Sequence, residues 1–256
     1  MSFDPIQMLD AEIALWEESG LTPRLWWRDD DTTELSVPLS KLSDLAAQFK
    51  VPVLLAVIPS LAKQELSAFV SSNPWLDAAT HGFSHTNHGD QDTKKTELTE
   101  NSLGRSVQDV AQELITSRKN MEDMFGLAAS QILVPPWNRI STSALQTLPS
   151  IGFKLLSTFT DQKLSTDIHQ INCHIDLMHW RPDRLAKTIR EVTDELLICL
   201  QDRRISDYPK QPIGILSHHL VHDENAWEAT EFLMSYFAKQ PCIKTLTQAD
   251  LLSLTH

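Results

Sequence analysis

Glycine is scarce in this chain, with 7 among 256 residues, and phosphate-cradling loops need several at fixed spacing, so a nucleotide-binding fold is not expected. No Gly-x-Ser-x-Gly elbow and no kinase signature set occurs either. Cysteine is rarer still. Cys173, Cys199 and Cys242 are odd in number, far apart and without a Cys-x-x-Cys pair, which argues against a disulfide scaffold and for reduced, buried thiols in a reducing compartment. Basic residues are in deficit, 22 Lys and Arg against 34 Asp and Glu, for a formal net charge of −12. A body of that sign repels polyanions, so neither nucleic acid nor an anionic membrane surface is an expected partner. No apolar run approaches the ~20 residues that span a bilayer. Met1–Gly20 carries Asp4, Asp10, Glu12, Glu17 and Glu18, and it lacks the basic start, apolar core and cleavage site of a secretory signal. The expected localisation is cytoplasmic; oligomeric state is left open.

What is present is an alternation of short apolar runs with longer amphipathic stretches, the pattern of β-α units around a parallel sheet. The length and a 41% hydrophobic composition fit a single α/β domain over 1–256, with 1–20 as an N-terminal helical extension. Strands are expected at 25–28, 53–58, 75–80, 131–134, 152–156, 171–178 and 213–217. Helices are expected at 37–49, from 59 to about 70, and at 102–125, 142–148, 183–200, 224–237 and 248–254. The polar stretch 86–101 reads as a surface loop. Asp29 and Asp30, His81, Pro136-Trp137, Asp176 and His218 each stand at or just past the C-terminal end of an expected strand. In parallel α/β barrels the active site is built at that end.

His81 and His85 are four residues apart. On one side of a helical turn both could reach a single ion, and a carboxylate from another strand would complete a three-ligand site with a position open for water. His88 could also chelate with His85. The carboxylates are at hand in Asp29-Asp30-Asp31, where one member can ligate and its neighbour can accept a proton from water. Pro135-Pro136-Trp137-Asn138 is a rigid turn able to aim a backbone N–H at a developing oxyanion, and Trp137 offers a flat face to a sugar ring. Either His218 or His219 could act as general acid; strand register prefers one and a one-residue slip reverses the choice. Asp176 could orient such a histidine through Nδ1–H.

These motifs, in this order from Leu25 to Leu220, resemble the polysaccharide deacetylase family (carbohydrate esterase family four), particularly its divergent deacetylase-like members. Asp29-Asp30 resembles its first motif, His81-Gly82-Phe83-Ser84-His85 its His-x-x-x-His motif, and Pro135-Pro136-Trp137 its third. Asp176 to Trp180 resembles the fourth and Leu216-Ser217-His218 the last. Two positions depart from the pattern: Val134 stands where the family has an Arg that tethers the catalytic Asp, and His179 where it has an Asp. Arg28, Arg139 and Arg181 are candidates to replace that guanidinium.

The resemblance implies a distorted seven-stranded (β/α) barrel and a divalent metal, zinc first. It implies Asp30, His81 and His85 as ligands, and Asp29, His218, Trp137 and Asp176 as catalytic residues. Pro136, Trp137, Trp180 and His219 would contact a small-molecule or oligosaccharide substrate. The expected reaction is hydrolysis of an N-acetyl group on an amino sugar or related carbohydrate. Two other readings stand beside it: a barrel that binds carbohydrate or metal without turnover, and a glycosidase on a related barrel, which needs no metal.

Overall fold

Parallel strands covered on both faces need apolar residues at nearly every position, and two mostly apolar runs here are buried along their whole length, Val53–Val57 and Ile213–Ser217. A computed structural model, describing residues 5–160 and 163–254, shows them as central strands of one curled parallel sheet. In chain order the strands are β1 (Arg24–Thr32), β2 (Val53–Val57), β3 (Leu76–His81), β4 (Ile132–Val134), β5 (Leu155–Leu156), β6 (His169–Gln170), β7 (Ile175–Asp176), β8 (Met178–His179), β9 (Leu185–Ala186), β10 (Ile213–Ser217) and β11 (Lys244–Thr245). Hydrogen-bonded neighbours run β6-β5-β4-β3-β2-β1-β10-β7, with β11 added alongside β1 and β8-β9 forming a separate hairpin.

The expected strand at 171–178 is broken into the two-residue pieces β7 and β8, with β6 just before it. The hydrogen bonds give the reason. Ile171 and Cys173 donate to Leu156 and Thr158 on the β5 side, whereas His174 and Leu177 donate to Gly214 and Leu216 on the β10 side. This one segment therefore leaves one neighbour for the other and brings the two ends of the sheet together. Counted as a single irregular stave, β6 and β7 complete a distorted seven-stranded ring.

Period-two alternation sorts each strand into an inner and an outer face. Trp26, Leu54, Ala56, Ala79, Val134 and Leu216 form a core inside the ring, while Leu25, Trp27, Val53, Leu55, Ala78 and Ile215 pack outward against the helices. Gly214 allows the tight interior. A Cβ there would stand 2.6 Å from Trp26 Nε1 and 2.8 Å from both the Asn172 carbonyl and Cys173 Cα.

Helices cover the outside, and their caps explain where sequence and structure differ. The helix expected from residue 102 begins at Val107, because Ser106 and Asp109 form a reciprocal capping box. The one expected over 183–200 is Ile189–Ile205, started by Thr188 and Glu191 in the same motif after the β8-β9 hairpin. The N-terminal helix, Pro5–Glu18, is integral to the domain: Leu9, Ile13 and Trp16 are buried in the outer core, and Glu12 pairs with Arg204 at 2.7 Å. Residues 1–4 of the expected extension lie outside the described residues. No helix among the described residues is long and apolar enough to cross a membrane.

Candidate active site

Strand alternation decides the roles of three consecutive carboxylates. Asp29 is in phase with Trp27 on the outer face and Asp30 with Trp26 on the inner face. Regular alternation would send Asp31 outward again. Instead the β1-β2 register shifts between Asp29 and Thr32, and Asp31 has φ 71°. This bulge re-aims the side chain. Asp31 Oδ1 then lies 3.1 Å from His81 Nε2 and 3.1 Å from His85 Nε2, and these three residues form a group able to hold a metal ion. The structure thus corrects the ligand reading by one residue: Asp31, not Asp30, faces the histidines. His88 is not in the group.

The donor set fits a cation. His81 lies on the inner face, in phase with Ala79, and its Nδ1–H donates to the Val134 carbonyl at 2.9 Å. That bond leaves Nε2 of the neutral ring as a bare acceptor facing a carboxylate oxygen, an arrangement that calls for positive charge between the two. Burial would lower the His81 pKa, but nearby Asp30 and the Asp31 contact raise it overall. Burial would raise that of Asp31, and the two imidazoles hold it far below the carboxylate range instead.

The His81–His85 run is not a helical turn. His81 ends β3, and Gly82 (φ 60°) and His85 (φ 57°) are both left-handed. A Cβ on Gly82 would fall 2.0 Å from Glu97 Oε2 and within 2.7 Å of Pro136 Cγ. Pro136, expected to touch substrate, is thus buried beneath this loop as a support. Trp137 has a left-handed backbone (φ 54°). It is half-buried, and its ring stands 4.4 Å from that of His85.

Val134 is buried in the inner core and supplies only its carbonyl. The guanidinium comes from β1 itself. Arg28, fully buried, places Nε 2.8 Å from Asp30 Oδ1 and donates from Nη2 to Asp30 Oδ2 at 3.0 Å and Asn138 Oδ1 at 2.7 Å. Its Nη1 donates to Ser157 Oγ at 2.8 Å and to the Ser157 and Thr158 carbonyls at 3.2 Å each. Asp30 is therefore a carboxylate gripped by a fork, in electrostatic contact with His81.

The same alternation separates His218 from His219. His218 follows Leu216 to the inside, whereas Ser217 and His219 turn outward to Asp29. Asp29 accepts from Ser217 Oγ (2.5 Å) and from the His219 N–H (3.0 Å), and its Oδ1 meets His219 Nδ1 at 2.5 Å. Trp27 Nε1 donates to Ser217 Oγ behind it. Burial would raise the Asp29 pKa, and His219 holds it below the usual range. Both side chains face outward in this closed pair, away from the inner face that carries Asp30, His81 and His218, so the structure corrects the expectations that Asp29 is catalytic and that His219 touches substrate.

His218 remains as the inner imidazole, with the half-exposed Trp180 ring set edge-on at 4.6 Å. Asp176 does not bond its Nδ1, which is buried without a hydrogen-bond partner. Its carboxylate accepts instead from the Met178 N–H (3.0 Å) and Trp180 Nε1 (2.7 Å). It acts on His218 through charge and by orienting Trp180; burial pushes its own pKa up. His179, at the position of the missing family Asp, faces outward to Glu191 at 3.0 Å.

No family model and no curated protein matches this chain. Solved structures do. A protein from Mycobacterium smegmatis assigned as a polysaccharide deacetylase superposes with a TM-score of 0.63 at 13% identity, covering 86% of this chain and 77% of that one. A family 4 acetyl xylan esterase from Clostridium thermocellum, in complex with cobalt, gives 0.58 at 11% identity over 90% and 91%. The Bacillus subtilis peptidoglycan deacetylase PdaC gives 0.55 at 13% over 91% of each chain. The fold is that of the family 4 carbohydrate esterases. Within that esterase fold, the mouth of the barrel gathers Asp31, His81 and His85 with Arg28-Asp30, Trp137, and His218 beside Trp180.

Proposed function

We propose that this protein is a metal-dependent amide hydrolase that removes an N-acetyl group from an amino sugar or related small carbohydrate. The observation that carries the reading is the convergence of Asp31 Oδ1, His81 Nε2 and His85 Nε2 at the mouth of a deacetylase-type barrel. A divalent ion, zinc first, supplies when bound a Lewis acid for the amide carbonyl and for water. Asp30 accepts the proton of the attacking water. Arg28 fixes that carboxylate in direction. The Trp137 N–H serves as a donor to the oxyanion of the tetrahedral intermediate. His218, just past the end of β10, gives its proton to the leaving nitrogen. Trp137 and Trp180 offer aromatic faces to a sugar ring.

The test is acetate release from a panel of N-acetylated amino sugars, measured before chelation, after chelation and after return of zinc. The expected pattern is release, loss and recovery. Metal-replete protein that frees no acetate from any member would contradict the reading.

A further inference from the structure

Residues 86–101 read from sequence as a polar surface loop, yet Glu97 within it is fully buried. Its Oε2 accepts from the Phe83 N–H at 3.1 Å. Its Oε1 accepts from the Ser84 N–H at 2.6 Å, the Ser84 hydroxyl at 3.0 Å and the Thr86 N–H at 3.4 Å. Every one of these donors lies in the run that begins after His81 and ends just past His85. The same segment is stitched on its other side to the turn that carries Trp137. Leu98 accepts from the Ser141 N–H at 2.9 Å and bridges Ile140, and the Lys95 carbonyl accepts from Arg139 at 3.1 Å. Glu100 accepts from the Ser141 and Ser143 hydroxyls.

A loop with two left-handed residues has no ladder of its own, and successive backbone N–H groups in such turns form a concavity suited to an anion. Here the anion is built in. An ionised carboxylate can accept from all these donors, whereas an amide would set an NH2 group against at least one N–H. Gly82 is the matching half, since any Cβ there would occupy the carboxylate's place.

We propose that Glu97 is a positioning residue of the metal centre. Its carboxylate holds the 82–86 loop in the left-handed form that aims His85 at Asp31 and His81, and the strap around it ties that loop to Trp137. This rests on the metal site proposed above.

The test uses the full chain as Glu97→Gln and as Gly82→Ala, titrated with cobalt(II) for its visible ligand-field spectrum and with zinc against a chromophoric chelator. Urea unfolding is measured alongside. Supporting residues behind metal ligands typically change affinity by about 10- to 100-fold. Both variants are expected to weaken zinc binding in that range and to alter the cobalt spectrum while unfolding cooperatively. Glu97→Ala placed on Gly82→Ala is expected to add little. Wild-type affinity and spectrum in both folded variants would overturn the assignment. So would loss of the cooperative fold in both, which would make Glu97 a support of the whole domain. A wild-type protein that binds neither ion would fail differently, removing the metal site and this inference together.

Discussion

Replacing Arg28 by Met tests whether Asp30 is held by a guanidinium from its own strand. The side chain is fully buried, and its nitrogens contact two Asp30 oxygens, Asn138 Oδ1, Ser157 Oγ and the Ser157 and Thr158 carbonyls at 2.7–3.2 Å. Methionine fills much of the volume and satisfies none of these acceptors. Leaving a buried carboxylate without its partner costs about 3–5 kcal/mol. Each buried acceptor stranded beside it adds about 1–3 kcal/mol where water does not reach. The expected loss is therefore at least about 4 kcal/mol, a large part of the roughly 5–15 kcal/mol that keeps such a domain folded. Urea unfolding at pH 7 reads it directly. Arg28→Lys keeps the charge without the planar fork and should fall between the two. Adding Asp30→Leu to Arg28→Met should recover part of the loss, because the stranded charge is gone, giving a coupling well above the about 0.5 kcal/mol seen for independent sites. An Arg28→Met protein within about 1 kcal/mol of wild type, or strict additivity in that cycle, would refute this account of Asp30.

Three further outcomes follow from the geometry. His222, whose pKa burial pushes down to about 4, stays neutral in the folded chain while its unfolded form titrates near the ordinary 6.5. Stability should thus fall as pH drops from 6.5 toward 4, by up to about 3 kcal/mol, and His222→Gln should lose less over that range in urea titrations. Asp29→Asn breaks a buried pair with His219 and should cost about 3–5 kcal/mol in unfolding free energy while zinc content stays at the wild-type level; loss of the metal would put Asp29 in the site after all. Gly214→Ala should destabilise by about 1–3 kcal/mol through overpacking against Trp26, and an unchanged unfolding midpoint would show that the barrel interior yields there.

The barrel and the end at which its chemistry gathers are legible in the sequence because both depend on patterns that repeat: apolar runs and polar residues just past strand ends. The pair His81 and His85 and the turn at Trp137 are found for the same reason. The assignment within Asp29-Asp30-Asp31 is not legible, since it turns on a bulge that re-aims one side chain and on which face β1 presents. The choice between His218 and His219 is a matter of register with respect to Leu216. Arg28 is in plain view beside Asp30, and period two already places both on one face, so their pairing was the available signal. Glu97 is different. Its partners are backbone N–H groups 11 to 14 residues away, and a polar loop gives no sign of the one acid that turns inward.

The most direct test of the central claim is the zinc stoichiometry of Asp31→Asn beside Asp30→Asn, each loaded with zinc, dialysed and analysed for metal. Asp31→Asn should lose bound zinc and Asp30→Asn should keep it while losing turnover. Zinc retained by Asp31→Asn and lost by Asp30→Asn would contradict the account.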